Sequence, residues 1–212
     1  IMWPDIRGLR PAFRMMAMRL AKSGYSVLCV NHFYRSAKAP VVAGGESFDD
    51  PEVRARIMPY YKATATVATN LTDALAFVTF LDGQESVDVS RKIGTAGYCM
   101  GGPIVLRAAA SVPDRIGAGA TFHGGGLVTD QADSPHLLIP KMEAEFLIAI
   151  AENDDKKAPR TKQVLRDSFE VARLQAEVEV YKGALHGWCP PDSLVYDKTR
   201  AERAWSRLLT LF

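Results

Sequence analysis

Apolar residues recur along this chain with two periods, and the alternation between them lays out its elements. Leu9, Phe13, Met16 and Leu20 fall at helical spacing, and Gly24 follows as a stop, so a helix is expected over residues 9–20. Residues 25–30 (YSVLCV) are a continuous apolar run, the mark of a strand covered on both faces. Residues 31–50 contain Pro and Gly-Gly and read as a long loop, of the kind that lines a site or moves. Val67, Leu71, Leu75, Val78 and Leu81 restore the helical period within residues 64–81. Further on, strands are expected at 93–98, at 116–122 running into glycines, at 145–151 ending in acids, and from 176 towards a histidine. Helices are expected at 103–110, 160–174 and 198–212.

Buried-type strands alternating with helices of ordinary length imply an α/β fold with a largely parallel sheet and helices on both faces. Nothing resembling a linker or a repeat divides the chain, so residues 1–212 are read as one domain. Right-handed crossovers place the carboxyl ends of such strands along one edge, where ligands bind. The opening IMWPDIRG reads as the tail of a strand, with earlier amino-terminal strands expected to be missing from this sequence.

Composition narrows the function classes. A formal net charge of +2, with Lys and Arg spread along the chain, gives no footprint for nucleic acid or an anionic membrane surface. No apolar stretch is long enough to cross a bilayer. Cys29, Cys99 and Cys189 cannot all pair, which favours a reducing, cytoplasmic setting. The four histidines, His32, His123, His136 and His186, lack metal-ligand spacing, so no metal is expected.

The candidate chemistry centres on Gly97-Tyr98-Cys99-Met100-Gly101, where a strand gives way to a helix. A nucleophile between two glycines is the form that permits a sharp strand-to-helix turn. It would stand at a helix amino terminus, which favours a thiolate. The same pentapeptide also suits a small core cysteine, so the reading needs partners. In this architecture they should follow in the order acid then base, each at a strand's carboxyl end. Asp154 and His186 meet both conditions, with Glu152 and Asp155 as competitors for the acid. Phe33, Tyr34, Tyr60, Tyr61 and Trp188 are candidates to wall a pocket, and His123-Gly-Gly-Gly reads as a tight strand exit near the site.

GYCMGG, the acid after IAEN and GALHGW together resemble the dienelactone hydrolase family of the α/β-hydrolase superfamily, and the resemblance spans essentially the whole chain. It implies the α/β-hydrolase fold and a cofactor-free hydrolase of small carboxylic esters or lactones, working through a thioester acyl-enzyme. It implies Cys99 as nucleophile, Asp154 as acid and His186 as base, with the N–H groups of Met100 and Ile6 as oxyanion donors. Asp5 falls where the dienelactone enzymes carry a Glu that interacts with the resting thiol, and Tyr98, beside the nucleophile, joins Asp5 and Trp188 as an accessory candidate. The stretch GWCPPDSLVYDK lacks the arginine with which those enzymes hold a substrate carboxylate, which points away from dienelactone itself. The alternative is a non-catalytic binding protein on the same scaffold. Oligomeric state is not legible in the chain.

Overall fold

The computed structural model describes residues 1–44 and 46–212. Gly45, within the expected loop at 31–50, lies outside them. The chain begins in a two-residue strand, β1 (Met2–Trp3), and continues into helix α1 (Pro11–Ala21). Two helices follow, α2 (Pro51–Thr64) and α3 (Val67–Asp82), then strand β2 (Ile93–Tyr98) and helix α4 (Gly101–Ser111). Strand β3 (Ile116–Phe122) and a 3-10 helix (Pro135–Lys141) lead to strand β4 (Glu145–Ala151). The chain then forms α5 (Glu152–Lys157), α6 (Thr161–Val171), strand β5 (Ala176–Tyr181) and the last helix α7 (Lys198–Leu211).

The five strands pair in the order β1-β2-β3-β4-β5, every pair parallel. Strand periodicity divides the core. Phe146, Ile148 and Ile150 of β4 pack on one face with Ile104 and Val105 of α4, Leu165 and Phe169 of α6 and Val78 of α3. Leu147, Ala149 and Ala151 pack on the other, with Phe13 and Leu20 of α1 and Trp205 and Leu208 of α7. Helices therefore cover both faces, and the sheet's carboxyl edge stays open to loops. No single helix among the described residues is long and apolar enough to cross a membrane.

Three local expectations change. Residues 25–30 run beside β1 but make a single parallel bridge, Met2 to Cys29, held by Met2 N–H to Leu28 O (2.8 Å) and Val30 N–H to Met2 O (3.1 Å). A ladder needs a partner of matching length, and β1 offers two residues. Helix α2 lies where the apolar period gave no helix. Its amino end is fixed by the Asp50 side chain accepting from Glu52 N–H, and Pro59 interrupts its hydrogen bonds. Asp154, expected at the carboxyl end of β4, lies instead within α5, which begins directly after that strand.

Candidate active site

Cys99 sits between β2 and α4 with a left-handed backbone, φ +54°, rare for a residue with a side chain. The turn is tight enough to dictate its neighbours. A Cβ on Gly97 would lie 2.2 Å from the Gly101 carbonyl oxygen, and one on Gly101 would lie 2.5 Å from that of Trp3. A Cβ on Gly102 would meet the Gly124 Cα at 2.7 Å, so the glycine-rich exit of β3 packs against the start of α4. The Cys99 N–H donates to Phe122 O (3.1 Å), and Gly102 N–H donates to Cys99 O (3.0 Å). These bonds project the thiol from the end of β2 just ahead of the eleven-residue helix α4.

His186 Nε2 lies 3.1 Å from Cys99 Sγ, and His186 Nδ1–H donates to Asp154 Oδ2 at 2.7 Å. The loop carrying His186 is docked on the start of α5 by consecutive residues. Glu152 N–H donates to Ala184 O (3.0 Å), Gly183 N–H donates to Glu152 Oε2 (2.9 Å), and His186 N–H donates to Asn153 Oδ1 (2.8 Å). Asp154 completes the run through the ring. Of the two competing acids, Asp155 is engaged by Lys162 (2.7 Å), and Glu152 by Gly183 and Lys156. Burial alone would lower the His186 pKa; the hydrogen bonds and negative charges of Asp154 and Cys99 outweigh it and push the pKa up to about 10. The arrangement favours a protonated His186 ring, held between the Asp154 carboxyl and the Cys99 sulfur.

Behind His186 lies a buried aromatic layer. The His123 ring centroid is 5.1 Å from that of His186 and 5.1 Å from that of Trp188, both edge-on. His123 also has a left-handed backbone, φ +43°, and its N–H donates to Ala149 O (2.8 Å). Burial and the neighbouring His186 hold its pKa well below the usual value, so it stays neutral.

The accessory candidates are placed differently from their sequence reading. Tyr98 stacks on Phe122 at 5.0 Å and meets Phe13 edge-on at 5.3 Å, on the face of β2 that packs with α1. Alternation along the strand turns it away from the thiol. Trp188 is fully buried against Tyr181 and His123. Trp188 therefore belongs to the supporting core, and Tyr98, also buried, borders a cavity lined by Met16, Cys189 and Trp205. Asp5 is 8% exposed and gives both carboxylate oxygens to the Arg10 guanidinium (2.6 and 2.9 Å). Its Oδ1 also accepts from Arg7 N–H (2.9 Å), bending the chain around Ile6. Among the described residues, no backbone acceptor takes the N–H of Ile6 or of Met100.

Arg10 and Asp192 had no signal in the sequence, because they meet across 182 residues (Nε to Oδ2, 2.7 Å). Asn153 had a weak one, its place beside the candidate acid. A cavity of about 580 Å³ opens at the opposite edge of the sheet, lined by Ile1, Ile93 and Gly117 at or near the strands' amino ends; it includes none of Cys99, Asp154 and His186.

Comparison with known proteins agrees with this architecture. The model of the Dienelactone hydrolase family matches residues 1–212. Among curated proteins, Protein usf of Aquifex pyrophilus is 29% identical over 126 residues, which is 58% of this chain and 51% of that protein. The chain thus spans about half (51%) of the length of the first curated relatives it matches. A crystal structure from Klebsiella pneumoniae, described as a candidate dienelactone hydrolase, aligns at TM-score 0.81 with 22% identity, covering 99% of this chain and 84% of that one. A dienelactone hydrolase-like promiscuous phosphotriesterase from metagenomic libraries aligns at TM-score 0.73 with 24% identity, covering 100% and 85%. At these identities the likeness shows a shared α/β-hydrolase fold.

Proposed function

This chain belongs to the dienelactone hydrolase family, and from that premise we propose that it hydrolyses small carboxylic esters or lactones through Cys99, His186 and Asp154. The Cys99 thiolate, paired with the His186 imidazolium, attacks the carbonyl carbon. The carbonyl oxygen takes the electron pair and is held by the N–H groups of Met100 and Ile6. The tetrahedral intermediate collapses, and the leaving alkoxide takes the His186 proton. The neutral imidazole, oriented by Asp154, then takes a proton from water as the hydroxide attacks the thioester. Release of the acid returns the electron pair to sulfur and restores the thiolate.

The observation that carries this reading is the single line of contacts from Cys99 Sγ to His186 Nε2 (3.1 Å) and from His186 Nδ1 to Asp154 Oδ2 (2.7 Å). A thiolate attacks activated esters, lactones and thioesters more readily than amides, so peptides are not the expected substrates. No cofactor takes part in this scheme. A reducing, cytoplasmic setting suits a mechanism that needs a free thiol, in a chain whose three cysteines are all unpaired.

The test is p-nitrophenyl ester cleavage. Cys99→Ala is expected to abolish turnover, while Cys29→Ala and Cys189→Ala retain it. Full activity in Cys99→Ala would sink the mechanism.

A further inference from the structure

The Arg10 guanidinium, 3% exposed, is shared between two carboxylates from opposite ends of the chain. Nη1 and Nη2 donate to Asp5 Oδ1 and Oδ2 (2.6 and 2.9 Å), and Nη1 also reaches the Gly8 carbonyl (3.2 Å). Nε and Nη2 donate to Asp192 Oδ2 and Oδ1 (2.7 and 3.0 Å). Asp5 and Gly8 bracket the turn that carries Ile6. Asp192 belongs to the segment following His186, and that segment folds back on the histidine loop. Asp197 N–H donates to Trp188 O (3.1 Å), and a Cβ on Gly187 would touch Ser193 Oγ at 3.3 Å. Arg7 adds a weaker tie, its Nη1 to Asp192 O at 3.3 Å.

We infer that Arg10 is a positioning residue that staples the Ile6 turn to the segment after His186, fixing the oxyanion donor relative to the base. The inference rests on the catalytic reading above. A planar fork that serves two carboxylates bidentately sets both distance and orientation, which a single ammonium cannot do. Asp5 is thereby committed to Arg10 and is not free to act on the Cys99 sulfur. Its part in the reaction runs through the position of Ile6.

Two variants test this, Arg10→Lys and Asp192→Asn, the second at a residue with a partly exposed side chain (34%) that the fold tolerates more easily. Steady-state cleavage of p-nitrophenyl acetate is measured beside the rate of Cys99 alkylation by iodoacetamide, followed by mass spectrometry of the Cys99 peptide. Alkylation needs the thiolate but forms no oxyanion, so it separates the two roles. Both variants are expected to lose about 10- to 100-fold in kcat, with KM and the alkylation rate each within about twofold of wild type. Unchanged kcat overturns the inference, as does a parallel fall in hydrolysis and alkylation. If Arg10→Lys does not fold, Asp192→Asn alone decides. A wild-type chain that is alkylated at Cys99 but cleaves no ester overturns the catalytic reading, and this inference with it.

Discussion

His186 has two anionic partners and one burial cost, and the partners win. Protonated histidine is stabilised by Asp154 and Cys99, with a pKa pushed up to about 10. A folded-state pKa raised above the unfolded value lends stability that is whole below about pH 6.5 and is lost as the pH climbs through about 10. An NMR titration of the imidazole is therefore expected to show His186 changing charge on the alkaline side of neutrality. Asp154→Asn and Cys99→Ala should each move that midpoint down; a wild-type midpoint near 6.5 would contradict the pairing. Asp154→Asn should also lower kcat by about 100-fold or more, because the ring loses its fixed tautomer. At this scale the sequence was informative for order and poor for contact. The order of Cys99, Asp154 and His186 could be read from strand ends, but a linear pattern does not say which of three neighbouring acids faces the ring. The start of α5 decides that by handing Glu152, Asn153 and Asp154 successive partners on one loop.

The elbow is where an element's geometry and a residue's chemistry depend on each other. Gly97 packs against the Gly101 carbonyl so closely that a methyl group has nowhere to go, since the obstacle is backbone. Gly97→Ala is expected to cost about 3 kcal/mol in denaturant unfolding, against a few tenths for a surface change such as Gly125→Ala, where a Cβ meets nothing within 4 Å. Equal midpoints for the two variants would show that the turn relaxes. Strands β2 to β4 were legible because parallel strands buried on both faces carry few charged residues, and edge strand β5 because Glu177 and Glu179 alternate with Val178 and Val180. Helix α2 was not, because only Val53, Ile57 and Thr64 are buried along it and two prolines obscure its period. Residues 25–30 carried the right composition for a strand, but composition says nothing about the length of the neighbour available to pair.

Across the molecule, a five-stranded parallel sheet carries the proposed site of Cys99, Asp154 and His186 at one edge and packs two cores on its faces. Unequal pairing should make the sheet's stability uneven. Amides of β3, flanked by ladders on both sides, are expected to exchange hydrogen at least about 100-fold more slowly than those of residues 25–28, beside β1 at the sheet's edge. Uniform protection by mass spectrometry would contradict this. The Arg10 cluster belongs to this scale as well. Asp5, Arg10 and Asp192 come together only when the sheet has brought the chain's two ends to one edge, and no local pattern marks them.

The left-handed backbone at Cys99 has a practical consequence. The reactivity proposed for Cys99 would be conferred by folding and would belong to no peptide of the same sequence. In the native chain, Cys189 is buried with its thiol pKa well above the ordinary value, and burial pushes the Cys29 thiol up to about 11. On unfolding, those two become ordinary accessible thiols while Cys99 loses its partners. The ranking of the three labelling rates then collapses, and the chain carries its own gauge of whether the elbow is intact.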